Sequence, residues 1–152
     1  MVKGNTIKRN LKNSYFKTTK YAPKINWDTR VALIKYYPGL DPKIIDYLIE
    51  SGYRAIIFEG TGLGHIGKVM YEHVCKAKKK GLFLGMTSQC IDGSVRMTVY
   101  ESGRDLLNLG LIPLSNMIPE TALVKAMWTL ANTSDIHEME KLMRENIASE
   151  LD

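Results

Sequence analysis

The amino-acid sequence predicts an α/β domain in three layers, about four parallel strands with helices on both faces. Three observations predict it. Short apolar runs, Arg30–Tyr36 (RVALIKY), Ala55–Phe58 (AIIF) and Leu82–Met86 (LFLGM), have the character of strands buried on both faces. Between them lie stretches whose apolar residues recur every three or four positions, as on one face of a helix. Each connection is long enough for a crossover helix, which parallel pairing requires. With 152 residues, 45% of them apolar and 24% charged, the chain can build one domain around a packed core.

The elements follow in order. After Arg30–Tyr36, Pro38-Gly39 breaks the strand, and Asp41 is placed to cap a helix that begins near Pro42. Ile44, Ile45, Leu48 and Ile49 give that helix its apolar face, and Gly52 stops it. The second strand, Ala55–Phe58, runs into a glycine-rich stretch. A helix over about 67–80 follows, with Val69, Met70, Val74 and Ala77 inward and Lys76, Lys78, Lys79 and Lys80 at its C-terminal end, where cations favour the dipole. Leu82–Met86 is the third strand. A polar loop, a short helix near 102–109 and a fourth strand at Leu111-Ile112 come next. Two helices finish the chain. One starts near Pro119 and carries Leu123, Met127 and Leu130. The other starts at Asp135, with Glu138 completing a capping box, and carries Ile136, Met139, Met143 and Ile147. The expected strand order is flavodoxin-like or Rossmann-like, with ligand contacts at the carboxyl ends of the strands, where Gly60–His65 and Thr87–Arg96 fall.

Charge divides the chain. Residues 1–24 carry seven cations, among them Lys3, Lys8, Arg9, Lys12, Lys17 and Lys20, and no acid, which leaves the rest at −2 of the net +5. Residues 1–29 are therefore expected to form a basic linker or arm, and 30–152 the domain. Tyr15, Phe16 and Tyr21 interleave with the cations, a pattern able to touch RNA phosphates and stack on bases. A solvated linker or an edge hairpin kept from aggregating by its lysines is the plainer reading. Cys75 and Cys90 form no C-x-x-C, and the three histidines are scattered, so neither a disulfide framework nor a metal is expected. No run approaches the roughly 18 apolar residues of a membrane span, and no apolar signal core follows the N-terminus, so a cytoplasmic location is expected.

The stretch Phe58–Lys68 (FEGTGLGHIGK) satisfies G-x-G-x-x-G at Gly62, Gly64 and Gly67. A dinucleotide site also needs a carboxylate at the end of the next strand, but that strand ends Gly85-Met86-Thr87-Ser88. A phosphate-binding loop needs Ser or Thr after its lysine, and Lys68 is followed by Val69. The glycines are better read as permitting positive φ and close backbone approach at the start of the following helix. Asp92-Gly93-Ser94 reads as a turn, and no G-x-S-x-G elbow occurs. No cofactor is expected.

Six segments in order carry a resemblance. They are Ile56–His65 (IIFEGTGLGH), Met86–Cys90 (MTSQC), Gly93–Tyr100 (GSVRMTVY), Gly103–Leu107 (GRDLL), Gly110–Pro113 (GLIP) and Met117–Trp128 (MIPETALVKAMW). Together they resemble the C-terminal domain of the asparaginase family over about residues 30–135. The TGLGH turn and the PETALVK segment are most similar to the D-subunit of archaeal glutamyl-tRNA(Gln) amidotransferase, with a cytosolic L-asparaginase as the alternative. The resemblance implies an enzyme that releases ammonia from Gln or Asn to convert Glu-tRNA(Gln) to Gln-tRNA(Gln), working with an amidotransferase partner. It also implies a homodimer whose active site lies between the N-terminal domain of one protomer and the C-terminal domain of the other. Gly62, Gly64, His65, Ser88 and Gln89 would then shape the pocket without being catalytic. The family's nucleophilic threonine lies in a Thr-Gly-Gly-Thr-Ile motif, with a Gly-Thr-Asp segment beside it, and neither occurs here. The chain is therefore expected to begin at the linker after the catalytic domain and to be inactive alone. Apart from this resemblance, a standalone RNA- or protein-binding module using the basic arm remains the reading from a different functional class.

Overall fold

The computed structural model describes residues 22–151 and, ahead of them, only the antiparallel backbone pairing of β1 (Val2–Lys3) with β2 (Thr6–Ile7). The side chains of Lys3, Lys8, Arg9, Lys12, Lys17 and Lys20, and with them the proposed RNA contacts of the arm, lie outside the described residues. The domain then runs β3 (Val31–Lys35), α1 (Lys43–Glu50), β4 (Ala55–Gly60), α2 (Tyr71–Lys79), β5 (Phe83–Ser88), α3 (Glu101–Asn108), β6 (Ile112–Pro113), α4 (Pro119–Asn132) and α5 (Ile136–Arg144).

The four strands β3 to β6 form one parallel sheet in sequential order. The order never reverses, so this sheet has no switch-point crevice of the flavodoxin or Rossmann kind. The helices still cover both faces. Crossovers of one hand that always step the same way leave α1, α2 and α3 on one side. There Ile45, Leu48, Val74, Ala77 and Leu106 pack on Ile34, Ile56, Phe58, Leu84 and Met86. With the sheet complete, α4 and α5 take the other side, where Ala122, Ala126, Leu130, Met139 and Met143 meet Val31, Ala55, Ile57, Phe83 and Ile112. The alternation of Ala55 and Ile57 with Ile56 and Phe58 along β4 is the period-two signature of a strand buried twice.

Several local expectations are corrected. The helix expected from 67 opens as a 3-10 turn, Lys68–Met70, and becomes α-helical only at Tyr71. Val69 is 67% exposed and does not belong to the inner stripe. Asp41 does accept the Lys43 N–H, at 3.0 Å. Asp135 caps α5 through the His137 N–H, at 3.0 Å, but the capping box does not close, because the Glu138 carboxylate accepts the Thr133 hydroxyl instead. In α4 the buried positions are Pro119, Ala122, Lys125, Ala126, Thr129 and Leu130, while Leu123 and Met127 are only half-buried. Ile147 lies beyond α5 and is exposed.

Candidate functional site

Parallel register brings the carboxyl ends of the strands together: Lys35 stands opposite Glu59, and Gly60 opposite Ser88. The sequence places its polar and glycine-rich loops at this edge. After Gly60 the chain makes a tight turn closed by Thr61 N–H to His65 C=O at 2.9 Å and His65 N–H to Thr61 C=O at 3.0 Å. Gly62 and Gly64 have φ of +52° and +95°, conformations that cost a side chain. A Cβ at Gly64 would also stand 2.7 Å from Val95 Cγ1, so the turn packs directly on the loop after β5.

The five residues expected at the site lie together at this edge, but their polar groups mainly brace the backbone around them. Ser88 Oγ donates to the Gly62 carbonyl at 2.6 Å and accepts the Cys90 N–H at 3.0 Å, tying the two loops together. The Gln89 amide donates to the carbonyls of Tyr36, at 2.6 Å, and Glu59, at 3.0 Å, while its backbone N–H donates to Gly60. The Gly64 N–H donates to the Thr61 carbonyl at 3.1 Å. The tight turn uses that donor for its own closure.

His65 is half-buried. Its Nδ1 lies 3.3 Å from Ser102 Oγ, its ring is 5.5 Å from that of Tyr100, and its Nε2 is buried with no hydrogen-bond partner among the described residues. Tyr71 fixes this corner by donating its hydroxyl to the Ser102 carbonyl at 3.0 Å. Burial, and then the Asp105 carboxylate, push the Tyr71 phenol above its ordinary pKa, so it stays a donor. Tyr36, Glu59, Tyr71, Tyr100 and Ser102 were not singled out from the sequence. Glu59 contributes more than its carbonyl, since its carboxylate pairs with Lys35 Nζ at 3.0 Å. The only sequence signal for this group was position, because each lies at or beside a strand end or the α2–α3 corner. Among the described residues no group of three or more His, Cys, Asp or Glu side chains is arranged to hold a metal.

The bracing makes a prediction. Gln89→Leu keeps the bulk of the side chain but leaves the Tyr36 carbonyl without its donor. It is expected to cost about 1 to 2 kcal/mol of stability, read as a lower urea midpoint at unchanged m-value. An unchanged midpoint would mean that Gln89 does not hold β3 and β4 at this edge.

Comparison with known proteins agrees with the resemblance. The family model for the glutaminase/asparaginase C-terminal domain matches residues 30–143. The D-subunit of glutamyl-tRNA(Gln) amidotransferase from Sulfurisphaera tokodaii is 51% identical over 142 residues, covering 93% of this chain and 32% of that protein. The D-subunit from Methanopyrus kandleri is 44% identical over 144 residues, covering 93% of this chain and 31% of its own. Among solved structures, the thermostable L-asparaginase from Thermococcus kodakarensis superposes with a TM-score of 0.77 at 35% identity, over 84% of this chain and 39% of that one. The chain thus spans about a third of the length of the curated relatives it matches.

Proposed function

The chain belongs to the glutaminase/asparaginase C-terminal domain family, and on that premise we propose that it serves a tRNA-dependent amidotransferase. Residues 30–152 are its C-terminal domain and residues 1–29 its linker. The complete subunit releases ammonia from Gln or Asn, and a partner amidotransferase subunit uses it to convert Glu-tRNA(Gln) to Gln-tRNA(Gln). The observation that carries this reading is the 51% identity to the D-subunit of a glutamyl-tRNA(Gln) amidotransferase across nearly the whole chain.

In this reading the nucleophile belongs to an N-terminal domain, on the same or another polypeptide, because the family's threonine motifs do not occur in these residues. The carboxyl edge of the sheet forms one wall of the pocket in a homodimer. Gly62, Gly64, Ser88 and Gln89 hold that wall rigid through the bonds described above, and His65 is the group nearest to offering a ring nitrogen to it. Rigid positioning of this kind contributes through orientation, since small misplacements near a reacting bond are costly in rate. The lysines of the arm contact tRNA phosphates, and the setting is the cytoplasm. No helix among the described residues is long and apolar enough to cross a membrane.

The purified 152-residue chain is expected to show no glutaminase or asparaginase turnover. Adding the N-terminal domain of such an enzyme is expected to restore it. Turnover by this chain alone would overturn the assignment of the nucleophile. The alternative is the C-terminal domain of an L-asparaginase, favoured by the superposition on the Thermococcus kodakarensis enzyme. A reconstituted protein that works at full rate without Glu-tRNA or an amidotransferase partner would establish it.

A further inference from the structure

The Nδ1 of His73 lies 2.9 Å from Asp46 Oδ2, so a carboxylate settles that ring. His65 has no such partner among the described residues. The ring's only polar contact there is Ser102 Oγ, 3.3 Å from Nδ1, and its Nε2 is buried with none. Which nitrogen carries the proton of the neutral ring is therefore set by Ser102. If the hydroxyl donated to Nδ1, Nε2 would carry the hydrogen and stand as a buried N–H without an acceptor. If Nδ1–H donates to Oγ instead, Nε2 keeps a bare lone pair, and the half-buried Ser102 turns its own O–H toward water. A buried N–H without an acceptor is the rarer defect, so the second arrangement is favoured. Ser102 is also held in place, since it sits in the first turn of α3 and its carbonyl accepts the Tyr71 hydroxyl at 3.0 Å.

We propose that Ser102 is a positioning residue, which fixes His65 as the Nδ1–H tautomer and so keeps Nε2 an acceptor for an N–H group of the amide substrate. This rests on the amide-cleaving reading above, because Gln and Asn bring such donors in their ammonium and amide groups. A ring nitrogen already stripped of water gives up no hydration when that donor arrives. Tyr100, 57% exposed and with its ring 5.5 Å from the imidazole, is the neighbour that turns aside to admit it. Ser102 itself touches no substrate and acts through the orientation of the ring.

A free neutral histidine side chain prefers Nε2–H, so the form proposed here is not the default and its spectrum is diagnostic. The experiment is a long-range proton–nitrogen correlation on the isotope-labelled 152-residue chain at a pH where histidine is neutral, with His65→Gln identifying the signals. The wild type is expected to show Nδ1 as the protonated nitrogen and Nε2 as the bare one. Ser102→Ala should lose that pattern and revert toward Nε2–H, while Ser102→Thr, which keeps the hydroxyl, retains it. In the enzyme reconstituted with the N-terminal domain, Ser102→Ala should raise KM for the amide about tenfold, the scale of one lost hydrogen bond, with kcat changed less. Ser102→Thr should restore it. A wild-type spectrum of the Nε2–H form overturns the proposal, however the variants fold. So does an Nδ1–H form that survives Ser102→Ala, or a KM that stays the same when the tautomer switches. A reconstituted enzyme that cleaves no amide, with the spectra as expected, supports the hold of Ser102 on His65 and overturns the amide-cleaving reading instead.

Discussion

Replacing Lys125 with alanine is expected to lower the folding stability by about 3 kcal/mol, because it strands a buried carboxylate. Lys125 is the one charged residue among the buried positions of α4, and its side chain is 7% exposed. Its ammonium pairs with Glu150 Oε1 at 2.5 Å and also donates to the Glu145 carbonyl, so one side chain on α4 holds both ends of the segment after α5. Glu150 is 8% exposed and also accepts the N–H groups of Ile147 and Ala148. Burial alone would raise its pKa, but the Lys125 ammonium and the backbone N–H groups of Ala148, Glu150 and Ile147 outweigh burial and hold it at about 2. A carboxylate held below its ordinary 4.5 contributes stability that is fully present above that value and is lost as pH falls from there toward about 2. The wild type should therefore lose stability steeply across that window, and Lys125→Ala much less. Lys125→Met/Glu150→Gln should recover most of the loss, since removing both charges leaves neither stranded. A Lys125→Ala melting temperature within a degree or so of wild type, against the shift of several degrees that 3 kcal/mol implies, would show that the tail is not held by this pair.

Why did the sequence announce α4 but not this clamp? The helix is legible locally, with Pro119 at its first position and Leu123, Met127 and Leu130 at helical spacing. Which face is buried is decided elsewhere, by the sheet that Ala122, Ala126 and Leu130 meet, and the segment after Arg144 then covers Lys125. A lysine between Val124 and Ala126 reads as a solvated position, and its partner lies 25 residues on with no local pattern linking the two. The small residues Ala122 and Ala126 are what let α4 approach the sheet closely, and an apolar count weighted toward large side chains passes over them. The strands were legible for the opposite reason. A β-segment buried on both faces must be apolar at every position, and AIIF in β4 leaves no alternative face to choose.

At the site, the glycine turn was readable as conformation, with positive φ at Gly62 and Gly64. What the residues could not reveal was that Ser88 and Gln89 bond inward. Their partners Gly62, Glu59 and Tyr36 lie 26, 30 and 53 residues away, and only the parallel register makes them neighbours. The strand order was likewise beyond local pattern. Alternating strands and helices are equally compatible with sequential and reversed orders, and only the packing of α4 and α5 on the second face satisfies that face without a reversal.

Gly103→Ala should be among the most damaging single-atom additions to this domain, although a helical glycine replaced by alanine ordinarily gains about 1 kcal/mol. Gly103 is buried in the first turn of α3, and a Cβ there would overlap the carbonyl oxygen of Met97, with that residue's carbonyl carbon 2.8 Å and Cα 2.9 Å away. These are backbone atoms, and they have nowhere to go. The Met97 side chain is 2% exposed in the core, while Val95 and Arg96 just before it are tied by their N–H groups to Ser115, at 2.8 Å, and Leu63, at 2.9 Å. The strain must therefore move either α3 or the loop, and overpacking of this sort costs about 3 kcal/mol, which exceeds the gain in helix propensity. The same displacement reaches the candidate site, because Tyr100 and Ser102, the two groups against the His65 imidazole, lie between Met97 and Gly103 on this stretch. The expected result is a melting temperature lowered by several degrees together with a loss of activity in the reconstituted enzyme larger than the unfolded fraction accounts for. A variant as stable as wild type would mean that the loop before α3 yields freely, and that His65 is not held by the packing described here.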